Sequence, residues 1–187
     1  SRARNMRKTA IQIMELFHGE FPNTEKQLLS LSGVGKYYAA AIGSFAFKLP
    51  LAVVDGNVYR VLSRVFNMDT PIDTPQGQRA FQELASTLLP KLLPDTYNQA
   101  IMEFGATVCT PKNTLCAQCP VQAGCVAYAT GTVAELPKKS PKKPPQPLWI
   151  HYLVPVDPLG NTLLTQRKGL GIWEGLYTFF AIEQQSE

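Results

Sequence analysis

Cys109, Cys116, Cys119 and Cys125 are the only cysteines in the chain, and six, two and five residues separate them. No other feature constrains the fold as much, because a loop carrying four thiols must close on itself or on a shared ligand. Disulfides require an oxidising compartment. Structural zinc usually draws its thiolates from two short pairs, and only Cys116 and Cys119 form one here. Four thiolates also suffice for a [4Fe–4S] cluster. Pro111 and Pro120 stiffen the loop in every case.

The amino end, Ser1 to Lys8, is polar and basic with no apolar region behind it, so no secretory signal is expected. A reducing compartment follows as the expectation, and it favours metal over disulfides. The first residue is not Met, and the chain is expected to be an internal piece of a longer product. No apolar run approaches the roughly 18 residues of a membrane span, so no membrane partner is expected. A length of 187 residues accommodates one domain plus a fragment of a second.

The net charge of +4 is unevenly distributed. Arg2, Arg4, Arg7 and Lys8 lie near the start with no acid among them, and Lys138, Lys139, Lys142 and Lys143 form a second run. Ten basic residues against fourteen acidic ones remain elsewhere. Local positive charge of this kind suits a nucleic-acid footprint. It suits equally a solvated helix face and a solvated linker.

Met6, Ala10, Ile13 and Phe17 repeat at helical spacing, which predicts a helix over 2–18 with one buried face. Thr24 with Gln27 three residues on forms a capping box for a short helix ending near Leu31. A helix over 36–47 follows, rich in small residues that let another backbone approach. Further helices are predicted over 57–66 (Val58, Val61, Leu62 and Val65 on one face), 75–89 (Phe81, Leu84, Ala85 and Leu88 inward) and 95–108. Five prolines and four lysines make 137–147 an extended linker. Beyond it, 149–156 and 162–166 read as strands around a turn at Asp157-Pro158-Leu159-Gly160.

Between the second and third helices stands Leu31-Ser32-Gly33-Val34-Gly35. Glycines permit backbone conformations that other residues resist, and they leave amide N–H groups open at a helix N-terminus, where an anion is favoured. Lys36 adds charge beside Gly33, Val34 and Gly35. A DNA backbone phosphate, bound without sequence preference, is the natural ligand; a plain helix corner is the alternative. Val54-Asp55-Gly56-Asn57-Val58-Tyr59-Arg60-Val61 follows about twenty residues later. Together the two stretches resemble the helix-hairpin-helix superfamily of base-excision glycosylases, and the second resembles the adenine DNA glycosylases within it (the MutY family). Ser32 stands where that family usually has Pro.

By itself Asp55 is an N-cap, worth about 1 kcal/mol. The resemblance implies a catalytic role. Cleaving an N-glycosidic bond builds positive charge on the sugar, and a nearby carboxylate stabilises or captures it. Asn57 would act near the sugar, and Tyr37 corresponds to a pocket-lining family residue. In the endonuclease III-like branch a catalytic Lys occupies the place of Tyr37, and Thr-His follows the aspartate. Lys36 is one residue too early, a helical rotation of about 100°. The resemblance therefore implies a monofunctional enzyme without lyase chemistry. The family's proton-donating glutamate lies on a helix upstream of residue 1. None of Glu15, Glu20, Glu25, Glu83 or Glu103 matches it.

The resemblance also implies that the cysteine spacing is the family's iron–sulfur loop, with Cys109, Cys116, Cys119 and Cys125 holding a [4Fe–4S] cluster. Gly171-Ile172-Trp173-Glu174-Gly175-Leu176-Tyr177-Thr178-Phe179 resembles the family's Nudix-related C-terminal domain. Residue by residue, Trp173, Tyr177 and Phe179 read as β-core aromatics. The family loop that touches oxidised guanine would lie downstream of residue 187.

The expected fold is thus mainly α: a helix-hairpin-helix DNA glycosylase fold with a cluster loop, then the start of a Nudix-like α+β domain. The glycosylase core is expected over 1–130, with 1–49 the remainder of the helical barrel and 50–130 the iron–sulfur subdomain. A linker over 131–148 and an incomplete Nudix-like domain over 149–187 complete the expected organisation. The function implied is base excision repair, in which adenine mispaired with 8-oxoguanine or guanine in double-stranded DNA is hydrolysed from its sugar by a monomer. That places it in a bacterial cytoplasm or nucleoid, or in a eukaryotic nucleus or mitochondrion. The alternatives are an endonuclease III-like glycosylase/lyase for oxidised pyrimidines and a non-catalytic DNA-binding fragment.

Overall fold

Helix α4 (Gly56–Val65) is the element around which the first unit is assembled. The computed structural model describes residues 2–141, 144–145, 147–169 and 172–185. Lys142 and Lys143 of the second basic run and Gly171 of the aromatic stretch lie outside the described residues. Six further α-helices are described: α1 (Arg2–Leu16), α2 (Glu25–Ser30), α3 (Lys36–Phe47), α5 (Pro75–Leu88), α6 (Pro94–Thr107) and α7 (Val126–Thr130). The two compact units are 1–140 and 141–187. No described helix is long and apolar enough to cross a membrane.

Helix α4 packs against α5, α6 and α7. Its apolar positions Val58 and Leu62 join Phe81 and Ala85 of α5, with Ala52 and Leu89, in one buried core. The Tyr59 ring meets Phe81 edge-on at 5.2 Å. Truncating Phe81 to Ala would cost about 3–5 kcal/mol, the usual loss for a buried aromatic. Leu28, Leu31 and Ala39 form a second core under the hairpin, flanked by Ile13, Phe17, Val34 and Ile42.

The small residues of α3 serve the close approach that their size suggests. Ala39, Ala40, Gly43 and Ser44 are buried. A Cβ on Gly43 would lie 2.8 Å from Leu51 Cδ1, so the chain between α3 and α4 runs hard against this face.

In the first unit two expectations fail. Helix α1 has no buried residue: Met6 is 67% exposed, Ala10 is exposed, and only Ile13 and Phe17 reach the second core. Its attachment combines those two side chains with hydrogen bonds from Thr9 and Gln12 to residues 30–32. The linker also begins later than residue 131. Arg64 Nε donates to the Leu136 carbonyl at 3.1 Å, Ile72 N–H to the Lys138 carbonyl at 3.0 Å, and Ser140 N–H to Asp73 Oδ1 at 2.9 Å. Residues 131–140 therefore pack on the first unit.

In the second unit β1 (Leu148–Leu153) pairs antiparallel with β4 (Phe180–Gln185), and β2 (Thr165–Gln166) with β3 (Tyr177–Thr178). Asp157 Oδ1 accepts from the Leu159 and Asn161 amides at 2.9 and 2.8 Å, closing the expected turn. Trp173 is 55% exposed and Tyr177 is 68% exposed, so neither is a core aromatic. Pairs of two strands bury too little for a core of their own.

Candidate active site and four-cysteine pocket

Asp55 caps α4, and its two oxygens do different things. Oδ1 accepts from the Asn57 and Val58 amides, both at 2.8 Å, which satisfies two of the helix's open donors. Among the described residues Oδ2 accepts only from Asn57 Nδ2, at 2.9 Å. The carboxylate is half-buried, so capping leaves one oxygen available for other chemistry. Tyr37 stands close enough for Asp55 to act on it. Burial, then the Asp55 carboxylate, then Tyr38 push the Tyr37 hydroxyl above its ordinary value, so it remains a proton-bearing donor at neutral pH. Asp55 and Asn57 are thus in direct contact, with Tyr37 within electrostatic reach of Asp55.

Asn57 is held from behind. Its Oδ1 accepts from Arg60 Nη2 at 2.8 Å, and the same nitrogen donates to the Gly105 carbonyl at 2.7 Å. Arg60 Nε donates to the Cys109 carbonyl at 2.6 Å. Burial draws the Arg60 guanidinium below its ordinary value; Cys109 and Asp55 oppose that and Arg64 adds to it. A Cβ on Gly105 would lie 2.7 Å from Asn57 Cβ, so α6 touches the start of α4 at a place only glycine fits.

The hairpin turns at Gly33, whose φ of +79° is left-handed, with Asn5 packed on it. Thr9 Oγ1 donates to the Ser32 carbonyl, and Gln12 Oε1 accepts from the Ser32 amide, each at 2.7 Å. Gly35 caps α3 without a side-chain bond, open space surrounds it, and Lys36 beside it is exposed. The amides at the start of α3 are free of any side-chain cap. Val34 is turned partly inward, onto Leu28, Leu31 and Ala39.

All four cysteines are unpaired and half-buried, and they line one small cavity with Arg64, Phe104, Leu115 and Val121. Burial pushes the Cys119 thiol up, and the three other sulfurs push the same way against a backbone bond at Val121. Arg64 Nη1 lies 3.4 Å from Cys109 Sγ and donates to the Thr110 carbonyl at 2.8 Å. Among the described residues no three His, Cys, Asp or Glu side chains converge as closely as a single metal ion requires.

Sequence reasoning missed Arg60, Arg64 and Asn98. Arg60 and Arg64 are 8% and 3% exposed. The two arginines stand one turn apart on the side of α4 away from Val58, Val61, Leu62 and Val65, a side that reads from the sequence as solvated, so local pattern gave no signal for them. Glu15, Glu20, Glu25, Glu83 and Glu103 are all exposed and make no side-chain hydrogen bond to Asp55, Asn57 or Tyr37.

No family model matches the chain. An adenine DNA glycosylase of Buchnera aphidicola (subspecies Baizongia pistaciae) is 30% identical over 187 residues, which is all of this chain and 53% of that protein. The human adenine DNA glycosylase is 43% identical over 128 residues, 68% of this chain and 23% of that one. The chain is similar to adenine DNA glycosylases along its whole length. It spans about half the length of the Buchnera relative and a smaller share of the human one. Among solved structures the chain is similar to a thermostable thymine-DNA glycosylase (TM-score 0.64, 32% identical, covering 69% of this chain and 59% of that one). It is also similar to endonuclease III in a non-covalent DNA complex (TM-score 0.59, 26% identical, 69% and 58% covered). The mainly helical fold is therefore that of the helix-hairpin-helix glycosylases.

Proposed function

We propose that the protein is a monofunctional DNA glycosylase that hydrolyses adenine from its deoxyribose when adenine is mispaired with 8-oxoguanine or guanine. The observation that carries this reading is the Asp55 carboxylate, fixed by Asn57 and two backbone amides with one oxygen left available. As the bond to the base lengthens, positive charge grows on the sugar, and a preorganised carboxylate stabilises it before water completes the hydrolysis. Tyr37 keeps its proton and can donate to the extruded nucleotide. The open amides after Gly35, with Lys36, suit a backbone phosphate. The adenine relatives support the choice of base. The test is base release from an A·8-oxoguanine duplex by the full-length gene product and its Asp55→Asn variant.

The solved neighbours include endonuclease III trapped covalently on DNA. That likeness favours a lyase as the second reading. Tyr37 argues against it, since a hydroxyl stands at the position where the lyase branch carries its catalytic lysine, close enough to feel the charge of Asp55. Strand scission without added base would decide for the lyase.

Four cysteines lining one small, largely apolar cavity offer the four thiolates that a [4Fe–4S] cluster takes, from Cys109, Cys116, Cys119 and Cys125. When bound, the cluster would supply a multi-point crosslink for the loop and no acid or base. With a cluster bound, Arg64 would offset negative charge on the Cys109 sulfur, and Arg60 fastens that loop to α4. The second unit is read as Nudix-like on its sequence and its two antiparallel pairs. A monomer acting wherever the cell keeps its DNA completes the proposal.

A further inference from the structure

The chain between α3 and α4 delivers Asp55 to its place, and regular structure does not hold it. Residues 49–55 have no helix or strand. Side chains hold them instead. Asn98 of α6 is 1% exposed and makes three bonds: its Oδ1 accepts from the Val53 amide at 3.0 Å, and its Nδ2 donates to the Leu51 carbonyl at 2.9 Å and to Ser44 Oγ at 2.8 Å. Gln82 of α5 donates to the Ala52 carbonyl at 3.0 Å. Three successive residues, ending two positions upstream of the carboxylate, therefore have backbone polar groups bound by side chains from two helices.

Ser44 lies on α3, whose other end carries the hairpin and Tyr37. Asn98 thus ties together the helix that starts at the hairpin and the chain that presents Asp55. A buried amide with all its bonds made is rigid, because releasing any of them leaves an unpaired group away from water. We infer that Asn98 is a positioning residue for base removal: it fixes the distance between the phosphate-gripping hairpin and the Asp55 carboxylate, with Gln82 as a weaker second tie. This rests on the reading of Asp55 as catalytic. A carboxylate displaced by an ångström loses charge stabilisation, with a penalty on the order of 10²-fold in rate, while phosphate contacts at the hairpin are untouched.

The test uses the full-length gene product with Asn98→Leu, Gln82→Ala and, in parallel, Asp55→Asn. Single-turnover release of adenine and affinity for a duplex bearing an uncleavable sugar are measured for each. Asn98→Leu is expected to slow release on the order of 10²-fold, and Gln82→Ala about tenfold, with affinities within about threefold of wild type. Gln82 is exposed, so its variant decides the question if Asn98→Leu does not fold. Wild-type release rates in the folded variants would overturn the proposal, and so would a loss of affinity equal to the loss of rate. If Asp55→Asn itself turns over normally, the reading of Asp55 fails instead. An inactive Asp55→Asn beside a fully active Asn98→Leu sinks the positioning role alone.

Discussion

Arg60 and Asn57 are joined side chain to side chain, Nη2 to Oδ1 at 2.8 Å, while the same guanidinium grips the Cys109 carbonyl at 2.6 Å. The carboxylate partner and the first cysteine therefore share one arginine. Replacing Arg60 by Leu leaves the Asn57, Gly105 and Cys109 oxygens without that donor, at about 1–3 kcal/mol for each buried group left unpaired. Thermal stability, retention of iron and adenine release should fall together. Arg60→Lys should not restore them, because an ammonium cannot reach three acceptors in the planar fork of a guanidinium. Calorimetry beside iron analysis checks this, and an Arg60→Leu protein of normal stability would contradict it.

Asp55→Asn separates the cap from the chemistry. Asparagine caps a helix about as well as aspartate, so stability should change by no more than about 0.5 kcal/mol. Release of adenine should nearly vanish, because a neutral amide cannot balance a developing cation. Folding and duplex affinity measured beside turnover give the result; turnover like that of the wild type would refute the assignment.

Gly105→Ala puts a methyl group 2.7 Å from Asn57 Cβ and 3.0 Å from its carbonyl oxygen. Either α6 or the start of α4 must move. The expected cost is about 1–3 kcal/mol, typical of overpacking. Because the displaced residue is Asn57, release should slow by more than the change in folded fraction explains. Comparing the rate with the unfolding midpoint distinguishes the two effects.

Most helices were legible from periodicity: Val58 and Leu62 of α4 and Phe81 and Ala85 of α5 stand where spacing puts them, although α4 also buries Arg60, Ser63 and Arg64 on its other side. The Asp55 cap and the Thr24 capping box were readable for the same reason, since both act within one turn. The ties that hold the site were not. Arg60 to Cys109 and Asn98 to Val53 join residues more than forty positions apart, and neither residue type announces its partner. Helix α1 misled because its spacing marks an apolar face without saying what covers it. Trp173 and Tyr177 misled because alternation predicts an inward face, and a two-stranded pair has little interior.

Iron removal tests the cysteine pocket. The protein should be brown, with broad absorption near ~400 nm as thiolate-bound iron clusters show. Cys119→Ser should weaken that absorption and loosen the loop, and the Arg60 bond to Cys109 carries the disturbance to Asn57. Adenine release should then decline with iron content. A colourless protein with stoichiometric zinc would rule the cluster out.

The hairpin should govern grip alone. Gly33 has a left-handed φ of +79°, and a Cβ there would fall 2.5 Å from Asn5 Nδ2, so Gly33→Ala must distort the turn. Lys36 is exposed, and Lys36→Glu reverses one charge beside the open amides of α3. If a phosphate sits there, Lys36→Glu should weaken duplex binding uniformly across sequences. Removing one phosphate contact should also lower the dependence of log affinity on log salt by about 1. The single-turnover rate at saturating enzyme should stay near wild type, because the Asp55 end of the assembly is unchanged. A salt dependence identical to wild type would place the phosphate elsewhere.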